Sequence, residues 1–368
     1  MENVMKKIEE CQANAILDKN ATESHAIKQM RLYRDSFIRF QITGCNFNDL
    51  ELTDEERKEL VQEIQIMFPL VADHLFVVHC IEKEHLNEVK EIAESIKASF
   101  HQLLKQQKWF DRQSLISALQ KNSRTQIVVG ASSKTMDLKV LDHLYSNLHL
   151  EARDSLYEMQ YKLQQVDLND EEFYGSVNDA RSTTMNAFNY RDENVVFVPA
   201  GILFSPNFLF ESSLATKYGS IGSVIGHELA HNYGLGKRIL LYCQERRRQV
   251  VVEMDSPKVQ TSCQVFDERI RSIGVQVAYR AYQKRRKQLL NTVKYSSSSN
   301  FTNSQEFFIS FATHWCFITS NNFKPTDSHS SIQSRINVPM KSFPRFANAF
   351  KCPLGSQMNS PNKCLFFL

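Results

Sequence analysis

The chain has 368 residues, 42% hydrophobic and 23% charged, the balance of a globular protein with a full-sized core in one or two domains. A net charge of +3 is too small to point to a nucleic-acid or membrane-surface partner. No apolar run approaches the roughly 18 residues that a membrane-spanning helix needs. Glycines (11) and prolines (9) are few for this length, which favours a mainly helical architecture.

From the start, Met1 to Gln12 reads as an amphipathic helix without the apolar core of a secretory leader. Thr53-Asp54-Glu55-Glu56 is a capping box that opens a helix running towards Phe68. Pro69 allows a break, and Leu70 to Cys80 is apolar enough to be buried. Glu84 to Gln107 is a long amphipathic helix, with Val89, Ile92, Ile96, Phe100, Leu103 and Leu104 on one side. Trp109-Phe110-Asp111 starts a further helical stretch through Leu119. Nothing in residues 1–110 suggests chemistry; His79, Cys80 and His85 read as packing or surface residues.

Residues 121–185 are polar and mixed, with short helices at Leu141 to Leu148 and Arg153 to Leu163. Two short extended segments follow, Met185 to Tyr190 and Asn194 to Gly201, the second closed by Pro199-Ala200-Gly201. Such a pair suits either a small sheet whose edge pairs with a bound peptide backbone or a buried hairpin without a ligand. Arg246 to Arg248 and Lys284 to Lys287 are basic clusters that read as solvated helix faces. Ser296 to Ser299 is a low-complexity loop, and Phe307 to Trp315 is a strongly apolar helix.

The eight cysteines include no C-x-x-C pair, and five lie after residue 240, so disulfides are expected in the C-terminal half. Asn20-Ala21-Thr22 and Asn300-Phe301-Thr302 are glycosylation acceptor triplets. The cysteines point to an extracellular or cell-surface setting, whereas the missing leader and anchor point inside, and the compartment stays open.

The densest chemistry lies between Tyr218 and Gly236, around His227-Glu228-Leu229-Ala230-His231. Residues four apart share one helix face, so two imidazoles at this spacing can hold one Zn²⁺. Glu228 follows the first His, where a general base can take a proton from zinc-bound water. Val224, Ile225, Leu229 and Ala230 give the helix an apolar stripe, and Asn232 to Gly236 supplies its stop. The alternative is an ordinary helix carrying two histidines. The longer zinc signature H-E-x-x-H-x-x-G-x-x-H fails here, because Lys237 stands at the third ligand position and its ammonium offers no lone pair.

A wider pattern resembles the neprilysin-like (neprilysin and endothelin-converting enzyme) zinc metallopeptidases. Asn186-Ala187-Phe188 with Tyr190 is similar to that family's N-A-x-Y substrate strand with one residue inserted. Val196 to Leu203, Tyr218 to His231, Ala278 to Gln283, Phe307 to Cys316, Asp327-Ser328-His329-Ser330, Arg335-Ile336, Cys352 and Cys364 follow in order, with weaker similarity back to about Phe68. The resemblance implies an α+β, mostly α-helical fold: a thermolysin-like zincin (gluzincin) catalytic domain at 166–368 with a small β-sheet. Residues 1–165 would be a helical region, a remnant of the family's lid and connecting helices. It implies one Zn²⁺ per chain on His227, His231 and a third carboxylate, with Glu228 as base and proton donor. His329 would stabilise the oxyanion, Asn186 and Ala187 would bind the peptide main chain, and Arg335 would bind substrate or support the site. The implied partners are oligopeptide substrates.

The third-ligand segment departs from the family's E-x-x-x-D. Allowing one deletion, Glu268 is the ligand and Ser272 stands for the family's Asp; without a gap, Asp267 is the ligand and Arg271 stands for it. Glu268 keeps the side-chain length and is preferred. Either way the carboxylate that supports a ligating His is gone, a loss that typically costs about 10–100-fold in affinity or activity. Two readings follow: a zinc metalloendopeptidase, and a catalytically impaired relative that binds peptides or regulates.

Overall fold

The computed structural model describes residues 2–18, 24–39, 52–107, 110–166, 180–204, 208–232, 262–290, 300–315, 331–361 and 363, with side chains for all of these except 2–3, 262–269 and 290. The described residues are mostly helical. The first helices are α1 (Glu2–Leu17), α2 (His25–Phe37), α3 (Asp54–Met67), α4 (Pro69–Cys80), α5 (Lys83–Lys105) and α6 (Arg112–Arg124). Strand β1 (Gln126–Gly130) precedes α7 (Ser133–Met136), α8 (Leu138–Leu144) and α9 (Leu156–Gln164). Strands β2 (Phe188–Tyr190) and β3 (Val195–Pro199) lead through a 3₁₀ turn (Ala200–Leu203) to α10 (Leu214–Gly219) and α11 (Ile221–His231). The remainder is α12 (Ser262–Leu290), α13 (Asn303–Thr313), α14 (Ile332–Lys341) and α15 (Pro344–Ala349). The three strands form one sheet in the order β1-β3-β2. This is the mostly helical, small-sheet architecture expected from the sequence.

The chain divides into two compact units, residues 1–87, 128–186 and 197–204 in one, and 88–127, 187–196 and 205–368 in the other. The first unit is a helical assembly whose core joins Ile16, Met30, Tyr33, Leu60, Ile64, Phe68, Leu141, Tyr145 and Met159. Phe68 sits at its centre, stacked on Tyr145 at 5.5 Å and tilted against Tyr33 at 5.8 Å. The capping box forms as expected: Thr53 Oγ1 accepts from Glu56 N and Glu56 Oε2 accepts from Thr53 N.

Cys80 is not the simple packing residue its sequence context suggested. It is bonded to Cys11, across a Cα–Cα distance of 5.9 Å, and ties α4 to α1. Disulfides were expected in the C-terminal half. There, Cys352 is a free thiol, and Cys243, Cys316 and Cys364 lie outside the described residues.

In the second unit the core is aromatic. Tyr279 contacts Phe307, Phe308 and Phe343 with ring centroids 5.0–5.5 Å apart, so α12, α13 and the start of α15 share one packed face. Lys284, Arg286 and Lys287 are exposed at the end of α12, and Arg285 pairs with Glu91, as a solvated face requires. No helix among the described residues is long and apolar enough to cross a membrane.

Candidate active site

The helix that carries H-E-x-x-H is set by two close approaches. A Cβ on Gly219 would meet the Phe307 carbonyl oxygen at 2.2 Å, so α10 lies directly on α13. The chain then turns at Ser220 (φ −86°, ψ −96°), which separates α10 from α11. Ser220 and Ser223 hydroxyls donate back to the carbonyls of Thr216 (2.8 Å) and Gly219 (2.7 Å), steadying the break. One and a half turns further on, a Cβ on Gly226 would meet the Gly274 carbonyl oxygen at 2.5 Å. Glycine on both sides lets α11 cross α12 backbone to backbone and brings His227 against the helix whose sequence includes Asp267 and Glu268.

Every residue from Ile221 to Ala230 is buried, with His227 at 7% and Glu228 at 8% exposure. The Nε2 atoms of His227 and His231 converge to 3.0 Å, their rings edge-on with centroids 4.5 Å apart. Glu228 Oε1 lies 3.9 Å from His227 Nε2. Two imidazole Nε2 atoms this close, with a carboxylate beside them, fit a tetrahedral zinc: ligand nitrogens at about 2.0–2.1 Å from such an ion stand roughly 3.3 Å apart. Among the described residues no group of three His, Cys, Asp or Glu side chains gathers, and the side chains of Asp267 and Glu268 lie outside them.

The C-terminal end of α11 is held by polar side chains that the sequence reading did not single out. Asn189 of β2 donates from Nδ2 to the carbonyl of Glu228 at 2.8 Å. That oxygen is among the last four of the helix, which need partners from outside it. Asn232 donates to Asn194 Oδ1 (3.2 Å) and Thr125 Oγ1 (3.4 Å); Thr125 donates to Asn194 Oδ1 (2.8 Å). Asn194 donates in turn to the Lys121 carbonyl (3.1 Å) and sits at φ +58°, a left-handed conformation that Asn tolerates. This knot fixes the turn between β2 and β3. From that turn Arg191 Nη2 donates to His231 Nδ1 at 3.3 Å.

On α12, Arg271 and Ser272 are both buried, at 6% and 1% exposure, where an acid was the family expectation. The Arg271 guanidinium lies over Trp315 at 4.4 Å, and Arg335 of α14 lies over the same indole at 5.3 Å. Beside them, burial and then the Arg271 charge push the His314 imidazole down to about 4. Of the other sequence-derived residues, Asn186 is exposed in a bend and Ala187 is buried just before β2. His329 and Lys237 lie outside the described residues.

Residues 186–238 and 243–366 match "Peptidase family M13". Neprilysin-11 of Caenorhabditis elegans is 26% identical over 341 residues, 84% of this chain and 40% of that protein. Endothelin-converting enzyme 1 of Homo sapiens is 28% identical over 329 residues, 79% of this chain and 41% of that protein. The chain thus spans about two fifths of the length of these relatives. Among solved structures, the Mycobacterium tuberculosis zinc metalloprotease Zmp1 in complex with inhibitor aligns with a TM-score of 0.59 at 19% identity, over 89% of this chain and 52% of that one. PepO from Lactobacillus rhamnosis aligns with a TM-score of 0.58 at 18% identity, over 96% of this chain and 55% of that one. These two likenesses show the fold.

Proposed function

We propose that this chain, whose residues 186–238 and 243–366 match peptidase family M13, hydrolyses oligopeptides as a zinc-dependent endopeptidase. The observation that carries this reading is the convergence of His227 Nε2 and His231 Nε2 to 3.0 Å with Glu228 beside them on a buried helix. His227, His231 and a carboxylate of α12 would hold the ion. Glu268, which keeps the side-chain length of the family's ligand, is the preferred third ligand, with Asp267, the register without a gap, as the alternative.

A bound zinc supplies Lewis acidity to the scissile carbonyl. Glu228 takes a proton from the attacking water and passes it to the leaving amine nitrogen. Asn186 and the Ala187 backbone hold the peptide main chain, His329 donates to the oxyanion of the tetrahedral intermediate, and Arg335 binds substrate or supports the site.

A second reading has its own support. Arg271 buries a positive charge on the helix that must supply the third ligand, which suits a peptide-binding relative with impaired catalysis. Zinc content and cleavage of a mixed peptide library, wild type beside Glu228→Gln, separate the two. One zinc per chain with cleavage that the variant abolishes supports the peptidase; a folded chain that binds peptides without cleaving them supports the second reading.

A further inference from the structure

We propose that Asn300 carries an N-linked glycan, and that the chain folds in a compartment that oxidises thiols as well as transferring glycans. The proposal stands apart from the peptidase reading, since none of its residues belongs to the candidate active site. Oligosaccharide is transferred to Asn in the triplet Asn-x-Ser/Thr, with x other than Pro, at surface positions of secreted proteins. Asn300-Phe301-Thr302 satisfies that rule. Such triplets also arise by chance, so exposure, anchoring and redox state decide between a site and a coincidence.

All three residues are exposed, in the segment that leads into α13. The start of that helix is firmly held. Thr302 caps it, its Oγ1 accepting from Gln305 N at 3.3 Å and donating to Gln305 Oε1 at 3.0 Å. Tyr279 Oη and Ser304 Oγ lie 2.9 Å apart, and Gln305 Nε2 donates to the Ala349 carbonyl at 3.1 Å. Asn300 therefore stands at the surface two residues before a fixed cap, and a glycan on its Nδ2 uses up none of these bonds. Phe301, 51% exposed, leaves a phenyl ring in water beside the acceptor. A sugar on the neighbouring residue would give that ring a polar cover.

The redox state is an independent observation. Cys11 and Cys80 are bonded across a Cα–Cα distance of 5.9 Å. Disulfides persist in secreted and lumenal proteins and are rare in the cytosol, where thiol buffers keep cysteines reduced. The bridge and the triplet belong to different units, so neither causes the other, and one compartment accounts for both. The other triplet, Asn20-Ala21-Thr22, lies outside the described residues. Transfer joins Asn300 Nδ2 to the anomeric carbon of a polyprenyl-diphosphate-linked oligosaccharide and breaks that carbon's bond to the diphosphate oxygen. The amide nitrogen loses one proton, the diphosphate leaves with the bonding pair, and nothing is oxidised or reduced.

The test expresses the full chain and its variants in cells of the organism that encodes it, and recovers them from every cell fraction and the medium. Peptide-N-glycosidase in heavy-oxygen water turns a glycosylated Asn into labelled Asp, which peptide mass spectrometry locates. Labelled Asp is expected at position 300 in wild type and in Thr302→Ser, and not in Thr302→Ala. Asn300→Gln should lose one glycan's step in gel mobility, whether or not Asn20 is occupied. Transfer precedes folding, so a variant that misfolds is still read in the pool retained by the cell. Alkylation before reduction should leave Cys11 and Cys80 unlabelled. A bare Asn300 in wild type, a label at Asn20 alone, or ready alkylation of Cys11 and Cys80 overturns the proposal and leaves the peptidase reading untouched.

Discussion

Gly274 lies against the backbone of His227: a Cβ at position 274 would fall 2.5 Å from the His227 amide nitrogen and 2.8 Å from its Cα. The first candidate ligand is therefore positioned by a glycine forty-seven residues later, through main-chain contact between two helices. Gly274→Ala cannot be absorbed by a side-chain rotation, since the colliding atoms are backbone. It should cost about 1–3 kcal/mol or more of stability, read by denaturant unfolding, and should weaken zinc binding by displacing His227.

Glu228→Gln keeps the size of the side chain and removes the base. The folded chain should keep its zinc while kcat falls by about 10²–10⁴ on any peptide that wild type cleaves. Turnover equal to wild type would end the assignment of Glu228.

Lys217 and Glu88 form a pair at 2.7 and 2.8 Å within the second unit. The lysine is buried and lies 4.9 Å from the Phe210 ring centroid. Glu88→Gln leaves that ammonium without its counter-charge and should destabilise by up to about 3 kcal/mol, less than a fully buried pair because Glu88 is partly exposed. Lys217→Met with Glu88→Gln should recover part of the loss.

Two buried groups give the units opposite responses to acid. Burial holds Asp73 up at about 6, against the pull of Arg181 and Ser182. Its folded state binds more protons than the unfolded chain between about 4 and 6, so this contribution is present in acid and falls as pH rises through that window. His314, held down at about 4, binds fewer protons folded than unfolded between about 4 and 6.5, so stability rises with pH there. Asp73→Asn should make the slope of unfolding free energy against pH more positive between 4 and 6, and His314→Gln more negative.

The Cys11–Cys80 bridge spans 69 residues of the first unit. Closing a loop of that length removes unfolded-state entropy worth about 4 kcal/mol. Cys11→Ser with Cys80→Ser should lower the unfolding midpoint accordingly.

The H-E-x-x-H helix and the long helices were legible in the sequence because their signals are local. H-E-x-x-H with its apolar stripe marks α11, the Thr53–Glu56 box marks α3, and the run Val195 to Pro199 marks β3. Strand β1 went unnoticed, since Gln126-Ile127-Val128-Val129-Gly130 is too short to show a period. The knot of Thr125, Asn194 and Asn232 was invisible for a different reason. Its members are single polar residues more than thirty positions apart, and only folding brings them together. Arg191 belongs to the same class. Cys11 and Cys80 were equally mute, because cysteine spacing does not state pairing.

The way the chain threads its two units bears on how it is made. The boundary is crossed at 87/88, 127/128, 186/187, 196/197 and 204/205. On a ribosome, the N-terminal unit cannot be completed when its first 87 residues emerge; it waits for 128–186 and finally for 197–204. By then α5, α6 and β2 of the other unit have already been synthesised, and their apolar faces must stay protected meanwhile. No single cut in the gene yields either unit whole, so a permuted or split version of this protein needs at least two joints.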